Sequence, residues 1–160
     1  MKKTNAARLL EKMGIAHQAR WYEVDEDDLS AENVARKINM PLEQVFKTLV
    51  ARGDRTGPLL ACLPGGDELD LKALAHASGN KRVELVPLKD VYPLTGYVRG
   101  GVSPIGTRKA YPVFLDQQAL AFDVISISAG TRGCQLLLNP QDLLRAVNPV
   151  VAAIAKRKGA

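Results

Sequence analysis

Hydrophobic and polar positions change their period several times along the chain, and each change marks an element. Ala6, Leu9 and Leu10 recur at helical spacing, with Met13 extending the stripe and Gly14 ending it, which predicts a short amphipathic helix over 5–12. Residues 17–24 read as extended and lead into the acidic loop 25–28. Ser30 is placed to cap a helix whose buried face carries Val34 and Ile38, and Pro41 interrupts the chain beyond it. Residues 45–52 read as a strand, the turn formers of 53–58 come next, and the apolar run 59–63 returns as a hairpin partner. Asp70 caps a helix over 71–78 that Gly79 closes. Short strands are predicted over 82–86, 97–99, 113–115, 124–128 and 134–138, then a helix over 140–147 with Asn139 as its cap and Pro140 at its first position. The basic tail 149–157 reads as a last helix. Strands and helices do not alternate as a doubly wound sheet requires, and neighbouring strands are joined by short turns. The pattern therefore predicts one α+β domain over 1–160, with a mixed sheet flanked by helices.

Composition fits this: 160 residues, 46% hydrophobic and 24% charged, are enough for one sizeable core. No apolar run is long enough to cross a bilayer, and the opening MKKTNAARLLEK lacks the apolar stretch of a signal peptide. No membrane association is expected, and the cytoplasm is the expected compartment. Charge changes the picture more. Residues 1–80 hold 11 Lys and Arg against 12 Asp and Glu, whereas residues 81–160 hold 11 against 5, so the net +5 is concentrated in the second half. That asymmetry suits a polyanionic partner such as a nucleic acid, or equally a solvated basic surface.

Three segments stand out chemically. Lys47 lies in Val45-Phe46-Lys47-Thr48-Leu49-Val50-Ala51, a strand whose two faces are both largely apolar and which should be buried on both sides. A lysine there must find an anionic partner, reach an opening or lose its charge; as an edge residue it would only discourage aggregation. Residues 95–106, TGYVRGGVSPIG, combine four glycines with Ser103 and Pro104, a composition that lets backbone approach a ligand or simply make tight turns. Residues 126–133 run from a strand end through Ser128 into the turn Gly130-Thr131-Arg132-Gly133, where Arg132 could grip a phosphate or merely decorate the loop. His17 and His76 have neither metal-ligand spacing nor a nucleophile context. Cys62 reads as a small core residue, and Cys134, beside the glycine turn, is more open to a chemical role.

Together, the Trp21-Tyr22-Glu23 strand, Gln44-Val45-Phe46-Lys47-Thr48-Leu49, Leu69-Asp70-Leu71-Lys72, Thr95-Gly96-Tyr97, Gly100-Gly101-Val102-Ser103-Pro104-Ile105-Gly106 and Gly130-Thr131-Arg132-Gly133 resemble the YbaK family of editing proteins. That family is related to the editing domain inserted in bacterial prolyl-tRNA synthetases, and the resemblance spans nearly the whole chain. It implies a mixed, partly barrel-like sheet and deacylation of Cys-tRNA(Pro), and of Cys-tRNA(Cys), without metal or cofactor. Lys47 takes the place of the family's essential lysine, and Gly101 falls where backbone borders the substrate. Tyr22, Phe46, Thr48 and Ser128 match positions around the family's pocket, and Gly100, Ser103, Gly130 and Arg132 belong to the two glycine segments expected to bind substrate. One departure is visible: Gln135 stands where the family commonly has an aspartate.

By analogy with the family, the cysteinyl thiol of the substrate attacks its own ester, releasing tRNA and a cyclic thiolactone, a formally lyase-like cleavage. Orienting such an intramolecular attack can contribute roughly 7–11 kcal/mol, so no nucleophile from the protein is required. Backbone N–H groups of Gly100 and Gly101 are then the candidate oxyanion donors, and Lys47 the anchor for a phosphate or for developing charge. Arg99, Arg108 and Lys109, with Lys81, Arg82 and the tail 156–158, are candidate contacts to the tRNA backbone. Such contacts carry little sequence information, so a complex with prolyl-tRNA synthetase is expected to supply tRNA selection. Two alternatives stay open: a deacylase for Ala- or Ser-tRNA, and a non-catalytic module that binds tRNA ends.

Overall fold

The computed structural model describes residues 2–159. Elements run in the order α1 (Asn5–Lys12), β1 (Gln18–Trp21), α2 (Ala31–Ile38), β2 (Phe46–Gly53), β3 (Gly57–Pro64), β4 (Asp67–Leu69), α3 (Leu71–Ser78), β5 (Val83–Leu85), α4 (Leu88–Thr95), β6 (Val113–Asp116), β7 (Ile125–Ser128), β8 (Cys134–Leu138), α5 (Pro140–Val147), β9 (Val150–Ala152) and β10 (Ala155–Arg157). The α+β class and the mixed sheet are as the sequence predicts. Five strands form one sheet in the order β5-β2-β3-β6-β9, three form a second in the order β1-β8-β7, and β10 pairs with β4. The β2–β3 hairpin is antiparallel in full register from Phe46↔Pro64 to Gly53↔Gly57, while β3–β6 and β6–β9 are parallel. The larger sheet ends in β5 and β9 and does not close into a barrel.

Strand β2 carries apolar side chains on both faces, as its sequence requires. Phe46 and Val50 join Leu60, Leu115, Ile127 and Leu136 in a core between the two larger sheets. On the opposite face Ala51 packs with Leu59, Leu63, Leu74 and Ile154 beneath α3. A third cluster sets Val34, Ala35 and Ile38 of α2 against Val45. The predicted caps are present: Ser30, Asp70 and Asn139 accept from Asn33 N, Ala73 N and Gln141 N.

Three expectations need correction. No strand forms over 97–99; the preceding residues make α4 instead, a helix with Pro93 inside it that Gly96 ends at φ 82°. Tyr97 is tied down by its own hydroxyl, which donates to the Ile105 carbonyl at 2.5 Å. The tail is not a helix. Asn148, left-handed at φ 47°, ends α5, and β9 and β10 come after it as short strands paired with β6 and β4. Buried Asp116 fixes this arrangement, its Oδ1 accepting from Ile154 N and Ala155 N and its Oδ2 from Gln118 N. Met13 lies past the end of α1 and is 44% exposed rather than on the buried stripe.

Candidate active site

A cavity of about 260 Å³ opens around the start of β2, and because it straddles the strand, Phe46, Lys47, Thr48 and Leu49 all line it. Gly100, Val102, Ser128 and Gln135 form one wall, and the first turn of α2 with Gly65 and Lys158 forms the other. The loop and the lysine singled out in the sequence therefore meet at one site. The lysine does not point into bulk solvent.

Lys47 is half-buried, and its ammonium donates to the carbonyls of Asp67 at 2.5 Å and Gly65 at 3.2 Å. Gly65 comes this close because it has no side chain: a Cβ there would overlap Ala31 and press on the Val45 carbonyl. Among the described residues no carboxylate lies within ion-pair distance of Lys47. Burial pushes the ammonium pKa below its ordinary value, the nearby Lys158 charge pushes it the same way, and Glu32, Asp67 and Glu68 oppose the shift. An ammonium has three N–H donors, so two carbonyls orient it and leave one for a ligand.

The glycine loop contributes backbone. Gly101 N–H is taken by the Val98 carbonyl at 2.9 Å, so it is not a free oxyanion donor. Gly100 and Val102 both line the cavity, and neither N–H has an acceptor among the described residues. What Gly101 provides is close approach, since a Cβ would meet the Arg132 nitrogen at 3.1 Å and the Thr131 backbone at 3.1–3.2 Å. The two glycine segments are thus packed backbone to backbone.

Other candidates fall into distinct places. Ser128, buried, accepts from Gly130 N at 3.1 Å, and Thr48 Oγ1 lies 3.4 Å from Cys62 Sγ. Gln135 accepts from Ser126 Oγ at 2.6 Å and faces the cavity as a neutral amide. Tyr22 packs against the α2 cluster and does not line the cavity. Ser103 is fully buried and accepts from Ile105 N, bracing the loop. Arg132 donates to the Arg99 carbonyl at 2.8 Å and stands 3.9 Å from Glu26. A recess of about 300 Å³ shares Leu29, Ser30 and Gly100 with the cavity and carries Arg99 on its wall. Arg108 stacks 4.8 Å over the Tyr92 ring, and exposed Lys109 lies nearby in sequence; neither lines the cavity. Cys62 and Cys134 are buried, and burial pushes each thiol up to about 11, which leaves both unreactive near neutrality. Sequence reasoning did not place Glu32, Gly65 or Val102 at the site, and it read Lys158 only as a tail contact to the tRNA backbone. The Ser30 cap was the one available signal, since a helix N-terminus favours negative charge.

Known proteins resemble the chain in sequence and in fold. The model of the aminoacyl-tRNA editing domain family matches residues 25–146. An Enterococcus faecalis protein with the provisional name Cys-tRNA(Pro)/Cys-tRNA(Cys) deacylase EbsC is 45% identical over 98% of this chain and 95% of its own. A proline–tRNA ligase of Thermosipho africanus is 29% identical over half of this chain and 14% of the ligase. A crystal structure described, again provisionally, as a trans-editing enzyme for prolyl tRNA synthetase superposes with a TM-score of 0.83 at 24% identity, covering 97% of this chain and 99% of that one.

Proposed function

The chain belongs to the aminoacyl-tRNA editing domain family, and on that footing we propose that it is a trans-editing deacylase that removes cysteine from Cys-tRNA(Pro) and Cys-tRNA(Cys). The observation that carries this reading is the meeting of Lys47 with the Gly100–Val102 backbone at one cavity whose described lining includes neither a cysteine nor a histidine. Its hydroxyls therefore have no imidazole to activate them, and such a site suits a substrate that brings its own nucleophile. The aminoacyl ester enters with its carbonyl against the free N–H groups of Gly100 and Val102, which stabilise the oxyanion as the substrate thiol attacks. Lys47 Nζ directs its remaining N–H at the ester oxygens or the neighbouring phosphate. Phe46, Thr48 and Ser128 hold the side chain, and Arg99, with Arg132 behind it, meets the incoming tRNA end. The enzyme acts in the cytoplasm, and prolyl-tRNA synthetase supplies tRNA selection through a complex.

Release of free tRNA from Cys-tRNA(Pro) is the direct test. The native protein turns the substrate over, and Lys47→Ala lowers kcat/KM by about a hundredfold or more, the scale of losing a preorganised electrostatic contact. Faster release from Ala-tRNA or Ser-tRNA than from Cys-tRNA would reject thiol assistance. Binding without turnover would reject catalysis.

A further inference from the structure

Lys158 comes just after β10 and lies outside the region matched by the family model, yet it is part of the cavity wall. Its ammonium pairs with Glu32 Oε2 at 3.1 Å, and both side chains remain about half exposed at 53% and 47%. Its position is fixed from behind, because β10 is zipped to β4 from Ala155↔Leu69 to Arg157↔Asp67. The same β4 supplies the Asp67 carbonyl that orients Lys47. Two ammonium groups thus face one cavity, and among the described residues Glu32 is the one carboxylate lining it. The inner ammonium is half-buried and committed to two carbonyls; the outer one is exposed and held by a single surface ion pair, an interaction of small net strength that a stronger anion displaces.

We propose that Lys158 is a substrate-binding residue that exchanges Glu32 for a phosphodiester oxygen of the terminal tRNA nucleotide, leaving Lys47 to act on the ester. This division of labour rests on the deacylase reading. A phosphate carries the formal charge that an outer, hydrated ammonium recognises as a point charge. The ester oxygens gain charge only as the bond breaks, and they are served by the inner, oriented donor.

The test is deacylation of Cys-tRNA(Pro) by the full chain and by Lys158→Ala, Lys158→Arg and Glu32→Gln, with salt and pH series. Lys158→Ala raises KM about tenfold while kcat changes less than about twofold, since a contact made equally in ground and transition states acts on KM. Its log(kcat/KM) against log[salt] is shallower by about 0.7, the slope of one phosphate contact to a single strand. Lys158→Arg restores both. Glu32→Gln, which frees Lys158, lowers KM; if Lys158 served only to hold the tail through this ion pair, Glu32→Gln and Lys158→Ala would both damage activity alike, and the proposal would fall. The groups facing Lys47 are Glu32 on α2, Asp67 and Glu68 on β4, and Lys158. Removing the Lys158 charge therefore also moves the alkaline limb of kcat/KM to higher pH, which reports that the two ammonium groups share the cavity, while KM and the salt slope report the phosphate contact. An active native protein with unchanged KM, salt slope and pH limb in Lys158→Ala overturns this proposal alone. An inactive native protein overturns the deacylase reading beneath it.

Discussion

At the scale of single residues, Lys47 determines how the site behaves with pH. Burial lowers its pKa below the ordinary 10.5, so the charged form is less favoured in the folded protein than in the unfolded chain. Between the two pKa values the unfolded chain binds more protons, so this group's contribution to stability rises with pH there, its cost being fully present below the folded value. In the proposed mechanism its contribution to catalysis runs the other way, because the neutral amine is a weaker electrostatic partner. The kcat/KM profile is therefore expected to fall at an alkaline midpoint below 10.5 while urea unfolding at the same pH shows no loss of stability from this group. A limb that coincided with unfolding would remove Lys47 as its cause. Lys47 was legible from sequence because an ammonium on a strand with two apolar faces is a physical contradiction. What the sequence concealed was its partners, two backbone carbonyls that no side-chain pattern announces.

At the scale of elements, four helices were readable: Ser30, Asp70 and Asn139 cap the starts of three, and the first showed itself by its apolar stripe and the glycine after it. Helix α4 was not readable, because Pro87 before it and Pro93 within it imitate a turn, and its start has no side-chain cap. The tail was misread for a different reason. An alanine-rich basic stretch has helical propensity, but β6 and β4 offer unpaired edges, and tertiary pairing overrides propensity. Asp116 is the hinge of that outcome. Replacing it with Ala strips acceptors from three backbone N–H groups, two of them in the tail, and is expected to cost about 3 kcal/mol in urea unfolding. The same variant is expected to lose activity beyond what its folded fraction explains, since β10 braces the strand that orients Lys47. Full activity in the folded fraction would separate the tail from the site.

At the scale of the whole molecule, the first half of the chain provides Lys47 and its acidic surroundings, and the second half provides the glycine loops and most of the excess positive charge. A polyanion recognised by that charge loses affinity as salt is raised, so kcat/KM for Cys-tRNA(Pro) is expected to fall linearly on a log–log plot against salt, with kcat nearly constant. A flat plot would mean that the basic half does not meet the tRNA. The pairing of β10 with β4 also bears on biosynthesis. Residues 67–69 leave the ribosome long before 155–157, and until the later segment arrives, β4 has neither its strand partner nor the Ile154 carbonyl that accepts from Asp70 N. Domains mature as their contacts are synthesised. A nascent chain can therefore form the β2–β3 hairpin early, yet the cavity around Lys47 is completed only as β10 emerges.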